Sequence, residues 1–357
     1  MKRLSVIIPI YNVEPYVERC IRSLEDQDIP RDSYELICIN DGSPDHSHDV
    51  VARLQEEFDN IVLIDQENQG VSRARNNGMK QASGEYLMMV DPDDYLKPRV
   101  LKDRLEIMDQ YKLDVGLMGY TILNGKMKEV YQYDPPHRTD QVMTGVDLLY
   151  KFWREADGTE ERDPHRSVSM FFRTAFMQTY ELRYLVNVPY LEDGELMARI
   201  MCLADRVTFM KGQVYMRTTR PGSATHSPLY YSEKGRNGFL KAALNLHQFK
   251  LDHCTRKAQV DFINDSIVHF TIMAITSLEI RQYRKNYPDL RKALKEGPLK
   301  KLDTDGCSDW YKKMGRYYNR SIHRFYLYWI GYRIREFIKI EVEYLLWKLK
   351  KKRGTEG

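Results

Sequence analysis

Short apolar runs alternate with amphipathic stretches over residues 1–125. Four runs have the length and β-branched content of buried strands: LSVIIPI (Leu4–Ile10), YELICIN (Tyr34–Asn40), IVLID (Ile61–Asp65) and EYLMMV (Glu85–Val90). The stretches between them have helical spacing, and one predicted helix runs from Ser72 to Ala82. Strand, helix and strand in this order predict βαβ units, and therefore an α/β fold with a mostly parallel sheet and flanking helices.

The pattern changes after residue 125. It is less regular to about residue 228, where VSMFF (Val168–Phe172) predicts a strand and Gly194–Leu203 a helix. The runs RVTFM and QVYMR predict two strands that turn at Lys211-Gly212. Later residues are helical in pattern. We therefore expect a domain over 1–228, with halves 1–125 and 126–228, and a helical region over 229–357.

Polar, turn-prone residues follow the predicted strands. Examples are Tyr11-Asn12, Asp41-Gly42-Ser43 and Asp91-Pro92-Asp93-Asp94. Parallel sheets bind ligands just beyond the carboxyl ends of their strands, so these turns predict a binding site. Asp41 could accept a hydrogen bond from a nucleotide base or a ribose, and Asp45 could cap the next helix.

The acidic turn at Asp91–Asp94 has two interpretations. Asp93 or Asp94 could cap a helix that runs through Val100 and Leu105. Alternatively, the carboxylates could hold Mn²⁺ or Mg²⁺ together with the phosphates of a substrate. Three carboxylates in four residues are more than a cap requires.

Four motifs over about 95 residues resemble those of the family 2 glycosyltransferases. They are Pro9-Ile10-Tyr11-Asn12, Asp41-Gly42-Ser43-Pro44-Asp45, Ala74-Arg75-Asn76-Asn77-Gly78 and the Asp-x-Asp element at Asp91 and Asp93. Their order and spacing both match. The resemblance implies a GT-A fold and transfer of a sugar from a nucleotide-sugar donor to an acceptor hydroxyl, with inversion at the anomeric carbon.

The resemblance also implies roles on the donor side. Tyr11 and the strand end at Pro9 would pack against the base, Asp41 would hydrogen-bond it, and Arg75 would lie beside the nucleotide. Asp93 would be the direct metal ligand, with Asp91 as a further ligand nearer the ribose. Asp94 could instead cap the following helix. Many relatives have Ser at the position of Pro92. The proline stiffens the turn and removes no carboxylate.

Two later segments would complete the site. Glu192-Asp193 looks like the Glu-Asp element of the family, with Asp193 as the general base and Glu192 beside it. The alternative is that these acids, with Glu195, only complement a helix dipole. Arg217, Arg220 and His226 could close over the diphosphate, with His226 as an extra metal contact; the alternative is that this histidine is structural or solvated.

The net charge of +4 conceals an uneven distribution. Residues 310–353 carry 13 Lys/Arg, three Glu and 12 aromatic residues, a net charge of +10 that leaves −6 for the rest. Arg316, Arg320 and Arg324 would share one helix face; Ile322, Phe325, Tyr326, Trp329 and Phe337 would fall largely on another. This pattern, with KLKKKR (Lys348–Arg353), favours an anionic membrane surface. Packing on the catalytic domain, packing in a homo-oligomer and RNA binding are the alternatives, and the small overall excess argues against nucleic acid.

Cysteine usage and hydropathy bear on the compartment. The five cysteines are odd in number, widely scattered and contain no CxxC pair, which favours a reducing environment. No apolar run approaches the roughly 18 residues of a membrane span, and Pro9 interrupts the N-terminal apolar stretch too early for a signal peptide. We expect a cytoplasmic protein held peripherally at the inner face of the membrane.

The sequence predicts a metal-dependent inverting glycosyltransferase that uses a nucleotide sugar, in the first place a UDP-sugar. A glycan or lipid-linked acceptor in polysaccharide assembly fits the tail chemistry. A non-catalytic sugar-nucleotide-binding or scaffold subunit is the alternative. A nucleotidyltransferase or epimerase is disfavoured because neither GxGxxG nor GxxxxGK[ST] occurs near the N-terminus. A glycosidase is disfavoured because the carboxylates follow nucleotide-binding strands.

Overall fold

The computed structural model describes residues 2–133, 141–155, 167–219, 228–278 and 283–335, which form one sheet with flanking helices and a helical C-terminal region. The first half contains the alternation that the sequence predicts. Its elements are β1 (Leu4–Ile10), α1 (Glu14–Glu25), β2 (Tyr34–Asp41), α2 (Ser47–Glu57), β3 (Ile61–Gln66), α3 (Val71–Gln81), β4 (Tyr86–Met89), β5 (Tyr95–Leu96) and α4 (Leu101–Gln110).

The second half continues the sheet and adds the helices. Its elements are β6 (Val115–Leu123), β7 (Glu129–Tyr133), α5 (Gly145–Glu155), β8 (Met170–Arg173), α6 (Thr174–Thr179), α7 (Glu192–Leu203), β9 (Val207–Thr218), α8 (Glu233–His253), α9 (Lys257–Thr276), α10 (Tyr283–Glu296) and α11 (Asp309–Arg320). Residues 322–335 are also helical.

The strands β3, β2, β1 and β4 lie side by side in that order, and all are parallel. Ile10 pairs with Asn40, which in turn pairs with Asp65, so these strand ends are in line. β1 and β2 are buried along their whole length, as expected for a parallel sheet covered by helices on both faces. The turns that follow these strands therefore lie along one edge of the sheet.

The rest of the sheet is mixed rather than mostly parallel. β8 joins β4 and β6 through antiparallel pairs, and β9 runs parallel to β6. The predicted strand pair with a turn at Lys211-Gly212 is wrong, because β9 is a single strand through both residues. Its register against β6 shifts from Met210 to Gln213, and Gly212 has a φ of +95°. The two residues form a bulge, since one partner strand continues alongside both halves.

The C-terminal helices share a core with the sheet domain. Phe239 of α8, Ile263 of α9 and Met201 of α7 belong to one cluster of buried apolar side chains. The predicted helical character after residue 229 is confirmed for the residues described there. The domain boundary at 228/229 stays a prediction, since apolar packing is continuous across it.

Part of the apolar face predicted for the basic tail is buried against the rest of the protein, whereas Leu327 and Ile334 are 54% and 51% exposed. Tyr318, Ile322, Phe325 and Tyr326 are buried in the same cluster as α7, α8 and α9. Ser321 has an extended backbone that ends α11, so Arg324 lies on the next helix and does not continue the Arg316 and Arg320 row. The prediction that Arg316, Arg320 and Arg324 share one helix face is therefore wrong. Phe337 and 348–353 lie outside the described residues. Among the helices that the structure describes, none combines the length and the hydropathy needed to span a membrane.

Candidate active site

The first two motifs meet at the carboxyl edge of the parallel strands. Tyr11 follows β1 and is 47% exposed, while Pro9 is buried in the strand. Asn12 has a φ of +52°, and its backbone N–H donates to Ser43 Oγ at 2.7 Å. This hydrogen bond ties the turn after β1 to the turn after β2. Packing of Tyr11 and Pro9 against a base stays a prediction.

Asp41 anchors the loop between β3 and α3. Its carboxylate accepts the backbone N–H groups of Gln69 and Gly70, each at 2.8 Å, and the side-chain amide of Gln66 at 2.6 Å. The adjacent Gly42 has a φ of +64°, and a Cβ there would lie 3.0 Å from the backbone nitrogen of Asn68. Asp41 therefore shapes the wall of the cleft, and its contact with a base stays a prediction.

Asp45 lies between the N-termini of two helices. One carboxylate oxygen accepts the backbone N–H of Glu14 at 2.9 Å, and the other accepts that of Ser47 at 3.2 Å. These residues begin α1 and α2. Asp45 thus accepts a backbone N–H at the start of α2, as predicted. It also accepts one at the start of α1, a contact that the sequence did not indicate.

The third motif supplies a cation, Arg75, and holds the segment that contains Tyr184. Asn76 exchanges two hydrogen bonds of 2.8 Å with the backbone of Tyr184. Gly78 lies against β1, where a Cβ would come within 2.5 Å of Ile7 Cγ2. Next to Asn76 in the sequence, Arg75 places its guanidinium over the Tyr184 ring, 5.0 Å from the ring centroid. The motif therefore joins α3, β1 and the segment before α7.

Arg75 bridges the two groups of carboxylates that the sequence singled out. One terminal nitrogen donates to Asp91 at 2.7 Å, and the other donates to Glu192 and Asp193 at 3.1 Å each. Arg75 is 4% exposed. Burial opposes its charge, but Tyr184 and the three carboxylates raise its pKa well above the ordinary value. The guanidinium is therefore a permanent cation between the acidic turn and the start of α7.

The acidic turn holds three carboxylates close together. Oxygen atoms of Asp91, Asp93 and Asp94 lie within 4.8 Å of one another. The predicted cap is wrong for Asp94, because β5 follows the turn and α4 begins only at Leu101. Its carboxylate accepts the hydroxyl of Tyr215 at 2.8 Å and the backbone N–H of Thr218 at 2.7 Å. Asp94 therefore fastens the turn to β9.

This turn suits a hard divalent cation. Burial, together with the charges of Asp91 and Asp93, raises the pKa of Asp94 well above its ordinary value. A cation would relieve that repulsion, and carboxylate oxygens are the ligands that Mg²⁺ and Mn²⁺ prefer. Because Asp94 is engaged by β9, the donor set nearest the cleft consists of Asp93 and Asp91.

Glu192 and Asp193 form the first turn of α7 and face Arg75. Glu195, in contrast, is fully buried and pairs with Arg199 at 2.7 Å, so it is structural. Burial and the neighbouring Asp193 raise the pKa of Glu192 to about 7, although Arg75 opposes the shift. Burial also raises the pKa of Asp193, against the lowering effect of Arg75. The alternative that these acids only complement a helix dipole leaves their contacts with Arg75 unexplained.

Three side chains at the site were not predicted from sequence. Ser167 donates to Asp193 at 2.9 Å, and Tyr184 donates to Ser167. Arg19 of α1 donates to the backbone carbonyl of Asp93 at 2.7 Å. In the sequence, Arg19 is notable only as a basic residue between apolar positions of an amphipathic helix. Nothing in the sequence pattern indicated Ser167.

Two predicted residues, Arg220 and His226, lie outside the described residues. Arg217 is part of β9, where it pairs in register with Ile122 and is half-buried. The acidic turn and the start of α7 therefore meet at Arg75 of the third motif.

The model of the glycosyl transferase family 2 matches residues 5–185, just over half of the chain. The chain is 29% identical over 226 residues to the uncharacterized glycosyltransferase EpsJ of Bacillus subtilis, covering 63% of each protein. It is 24% identical over 235 residues to the poly(ribitol-phosphate) β-N-acetylglucosaminyltransferase TarS of Staphylococcus aureus, covering 65% of this chain and 38% of the relative. The chain thus spans less than two thirds of the length of these curated relatives.

Solved structures with the same fold include S. aureus TarS residues 1–349 in complex with UDP-GlcNAc. That match has a TM-score of 0.66 and 19% identity, and covers 93% of this chain and 91% of the other. The mannosyltransferase PcManGT of Pyrobaculum calidifontis, in complex with GDP-Man and Mn²⁺, matches with a TM-score of 0.50 and 14% identity, covering 93% of this chain and 86% of the other.

Proposed function

Because this chain belongs to the family 2 glycosyltransferases and has their GT-A fold, we propose that it transfers a sugar from a UDP-sugar to an acceptor hydroxyl, with inversion and with a divalent metal. We further propose that the acceptor is a glycan or polyol-phosphate chain, free or lipid-linked, in the assembly of a bacterial surface polysaccharide.

The observation that carries this proposal is the position of Arg75. One buried guanidinium contacts the acidic turn at Asp91 and the acidic pair at Glu192 and Asp193. The carboxylates of the donor side and the acceptor side are therefore within one side chain's reach of each other. Glycosyl transfer requires this neighbourhood, since the leaving diphosphate and the attacking hydroxyl lie on opposite sides of one sugar ring.

The residues divide the chemistry between them. Asp193 accepts the proton of the acceptor hydroxyl as that oxygen attacks the anomeric carbon, and the bond from this carbon to the diphosphate oxygen breaks. A divalent cation held by Asp93 and Asp91 would neutralise the charge that develops on the diphosphate. Arg75 keeps Asp193 and Glu192 in place and stabilises their ionised forms.

The choice of donor and acceptor rests on the relatives. TarS, which shares the fold, has been solved with UDP and with UDP-GlcNAc. The relatives TarS and a Bacillus spizizenii enzyme are named poly(ribitol-phosphate) sugar transferases. These names support UDP-GlcNAc as the first donor to try and a polyol-phosphate polymer as the first acceptor.

A panel of UDP- and GDP-sugars, with and without Mn²⁺, tests the proposal. We expect one UDP-sugar to be turned over, with nucleotide release that depends on Mn²⁺ or Mg²⁺ and increases when acceptor polymer is added. The Asp93→Asn variant should lose the metal dependence and about 100-fold or more of the activity. Calorimetric binding of a nucleotide sugar without turnover by any acceptor would instead favour the non-catalytic subunit.

We also propose that the protein associates peripherally with a membrane, through attraction between its basic residues and anionic lipid. The exposed basic residues of the last described helices support it: Arg316, Arg320, Arg324, Arg333 and Arg335. Ile322, Phe325 and Tyr326 between them are buried, whereas Leu327 and Ile334 are exposed, so we expect electrostatic attraction to anionic lipid to supply most of the binding, at about 1 kcal/mol per basic residue near the surface.

Charge reversal tests this association. Full-length protein should float with vesicles that contain phosphatidylglycerol and not with phosphatidylcholine vesicles, and binding should fall several-fold when Arg316, Arg320 and Arg324 are all changed to Glu. Truncation before α11 is a poorer test, because it removes the buried Tyr318 and Phe325. Equal flotation of the variant and the original protein would exclude these arginines.

A further inference from the structure

Two buried hydroxyl groups form a chain of hydrogen bonds that ends at Asp193 of the acidic pair. Ser167 Oγ donates to Asp193 Oδ1 at 2.9 Å, and the Tyr184 hydroxyl donates to the same Ser167 Oγ. Ser167 is 1% exposed and Tyr184 is 3% exposed. Ser167 comes from the segment before β8 and Tyr184 from the segment between α6 and α7. Two segments outside the family's motifs therefore converge on one carboxylate oxygen.

We propose that Ser167 and Tyr184 are positioning residues that hold Asp193 by one oxygen and present its other oxygen to the acceptor hydroxyl. The inference rests on the proposed function and deepens it, since it states which atoms orient the base. Neither residue touches the reacting atoms; both act through Asp193.

The first argument is the distribution of hydrogen bonds on the carboxylate. Asp193 Oδ1 accepts from Ser167 and, at 3.1 Å, from Arg75. Both of these side-chain donors reach Oδ1, and the backbone of Ser167 also donates to the carboxylate. Two donors from different elements hold the first oxygen and so fix the rotation of the carboxylate. The second oxygen accepts from neither of these side chains, so it keeps a lone pair for a proton.

The second argument is the orientation of the serine hydroxyl. A serine hydroxyl has one hydrogen and two lone pairs, so it can turn away from a carboxylate unless something directs it. Tyr184 donates to Ser167 Oγ and so occupies a lone pair. Burial raises the pKa of Tyr184 well above its ordinary value, so the phenol keeps its proton and remains a donor. The Ser167 hydrogen is thereby directed to Asp193, and each hydrogen bond strengthens the other.

The third argument is that Tyr184 is itself held in place. Asn76 bonds both backbone polar groups of Tyr184, and the Arg75 guanidinium lies over the tyrosine ring. The third motif therefore contacts Asp193 twice: directly through Arg75, and indirectly through Tyr184 and Ser167. The ring and the hydroxyl of Tyr184 have separate roles, which substitution by Phe can separate.

Several charged and titratable groups around Asp193 also affect its pKa. Arg75 faces it from α3, Glu192 is its neighbour on α7, and Asp91 acts from the end of β4; Tyr184 interacts with it electrostatically. Hydrogen bonds from the side chain and backbone of Ser167 lower the pKa of Asp193 and so oppose the effect of burial. Loss of the Ser167 hydroxyl should raise that pKa further.

Kinetics with the UDP-sugar that the original protein turns over provide the first test. Ser167→Ala should lower kcat about tenfold with the donor KM within about twofold, and should move the acidic limb of the pH profile to higher pH. Tyr184→Phe should cost about threefold. The double variant should be no worse than Ser167→Ala alone, because the tyrosine acts only through the serine.

A matched control is Ser169→Ala, which removes the hydroxyl of another buried serine two residues away; in the described part of the chain, the side-chain donors to Asp193 are Arg75 and Ser167. It should leave kcat and the pH profile unchanged. Multiplicative losses in the double variant, or an equal loss in Ser169→Ala, would overturn the proposal. So would a change confined to the donor KM.

A thermal-unfolding cycle tests the same contact without any substrate. The ionised Asp193 loses a donor in Ser167→Ala, so the Tm difference from the original protein should widen as pH rises through the native pKa of Asp193 and narrow as pH falls. In an Asp193→Asn background, the Ser167→Ala difference should not vary with pH. If no nucleotide sugar is turned over, the proposed function fails and this cycle alone decides the contact. A difference with the same pH dependence in both backgrounds would refute it.

Discussion

The Asp193→Asn variant should lose sugar transfer, with kcat lower by about 10³-fold and donor binding within about twofold. Asparagine keeps the shape and can still accept from Arg75 and Ser167, but it cannot take the acceptor proton. A positioned general base contributes roughly 10²- to 10⁴-fold. Product formation under saturating donor measures the loss, and calorimetry with the nucleotide sugar measures binding.

The pH dependence of this reaction has a definite direction. Asp193 acts as a base only when ionised, and burial raises the pKa of both Asp193 and its neighbour Glu192, the latter to about 7. The rate should therefore be highest above neutrality and decline as pH falls and the pair binds protons. Asp205→Asn is a suitable control, because Asp205 is an exposed carboxylate just beyond the other end of α7. A variant at Asp193 that keeps more than about a tenth of the activity would mean that another group is the base.

The Arg75→Met variant should be less stable by about 3 kcal/mol near neutral pH and inactive. Methionine fills much of the same volume but leaves Asp91, Glu192 and Asp193 without their shared cation. Removal of one partner from a buried ionic cluster costs roughly 3–5 kcal/mol, and the partial exposure of Asp91 places the expectation at the low end. Chemical denaturation monitored by fluorescence measures the change in the free energy of unfolding.

The sign of the pH effect separates this explanation from simple loss of packing. Without Arg75, the native pKa values of Glu192 and Asp193, which burial already raises, should rise further above their unfolded values. The destabilisation should then be largest above those raised values and should shrink as pH falls and the groups bind protons in the native state. Arg73→Met, on the same helix, should change stability by less than about 0.5 kcal/mol, because the Arg73 side chain is exposed and, within the described residues, its guanidinium donates only to Gln69. A loss that is equal at pH 5 and pH 8 would contradict the electrostatic account.

The strands of the first half were predictable because their signal is local. β1 and β2 are buried along their whole length, so each appears in the sequence as an unbroken apolar run. β1 has the predicted limits, Leu4–Ile10, and β2 extends one residue further, to Asp41. The position of the polar turns at one edge follows from the parallel direction of the strands. The fold class and the edge of the sheet at which the motif turns lie were therefore predictable from the sequence.

The wrong predictions concern residues whose partners are distant in sequence. Lys211-Gly212 is a turn-prone pair of residues. Pairing with the parallel strand β6 nevertheless keeps β9 continuous through it. Asp94 is of a residue type that often caps helices. Its two carboxylate oxygens instead accept hydrogen bonds from Tyr215 and Thr218, more than 120 residues away in the sequence. Phe325 has the spacing of a surface-binding helix, but α8 and α9 offer it a protein core. Local spacing contains no information about such partners.

The sequence by itself determined which residues could do the chemistry: carboxylates at strand ends, an arginine in the third motif and an acidic pair at the start of a helix. Only the tertiary structure decided how each carboxylate is used. Asp94 fastens a strand, Asp41 anchors a loop, and Asp91 and Asp193 share the cation of Arg75. The physical reason is that composition specifies a charge, whereas burial and long-range hydrogen bonds specify whether that charge is held, paired or left able to accept a proton.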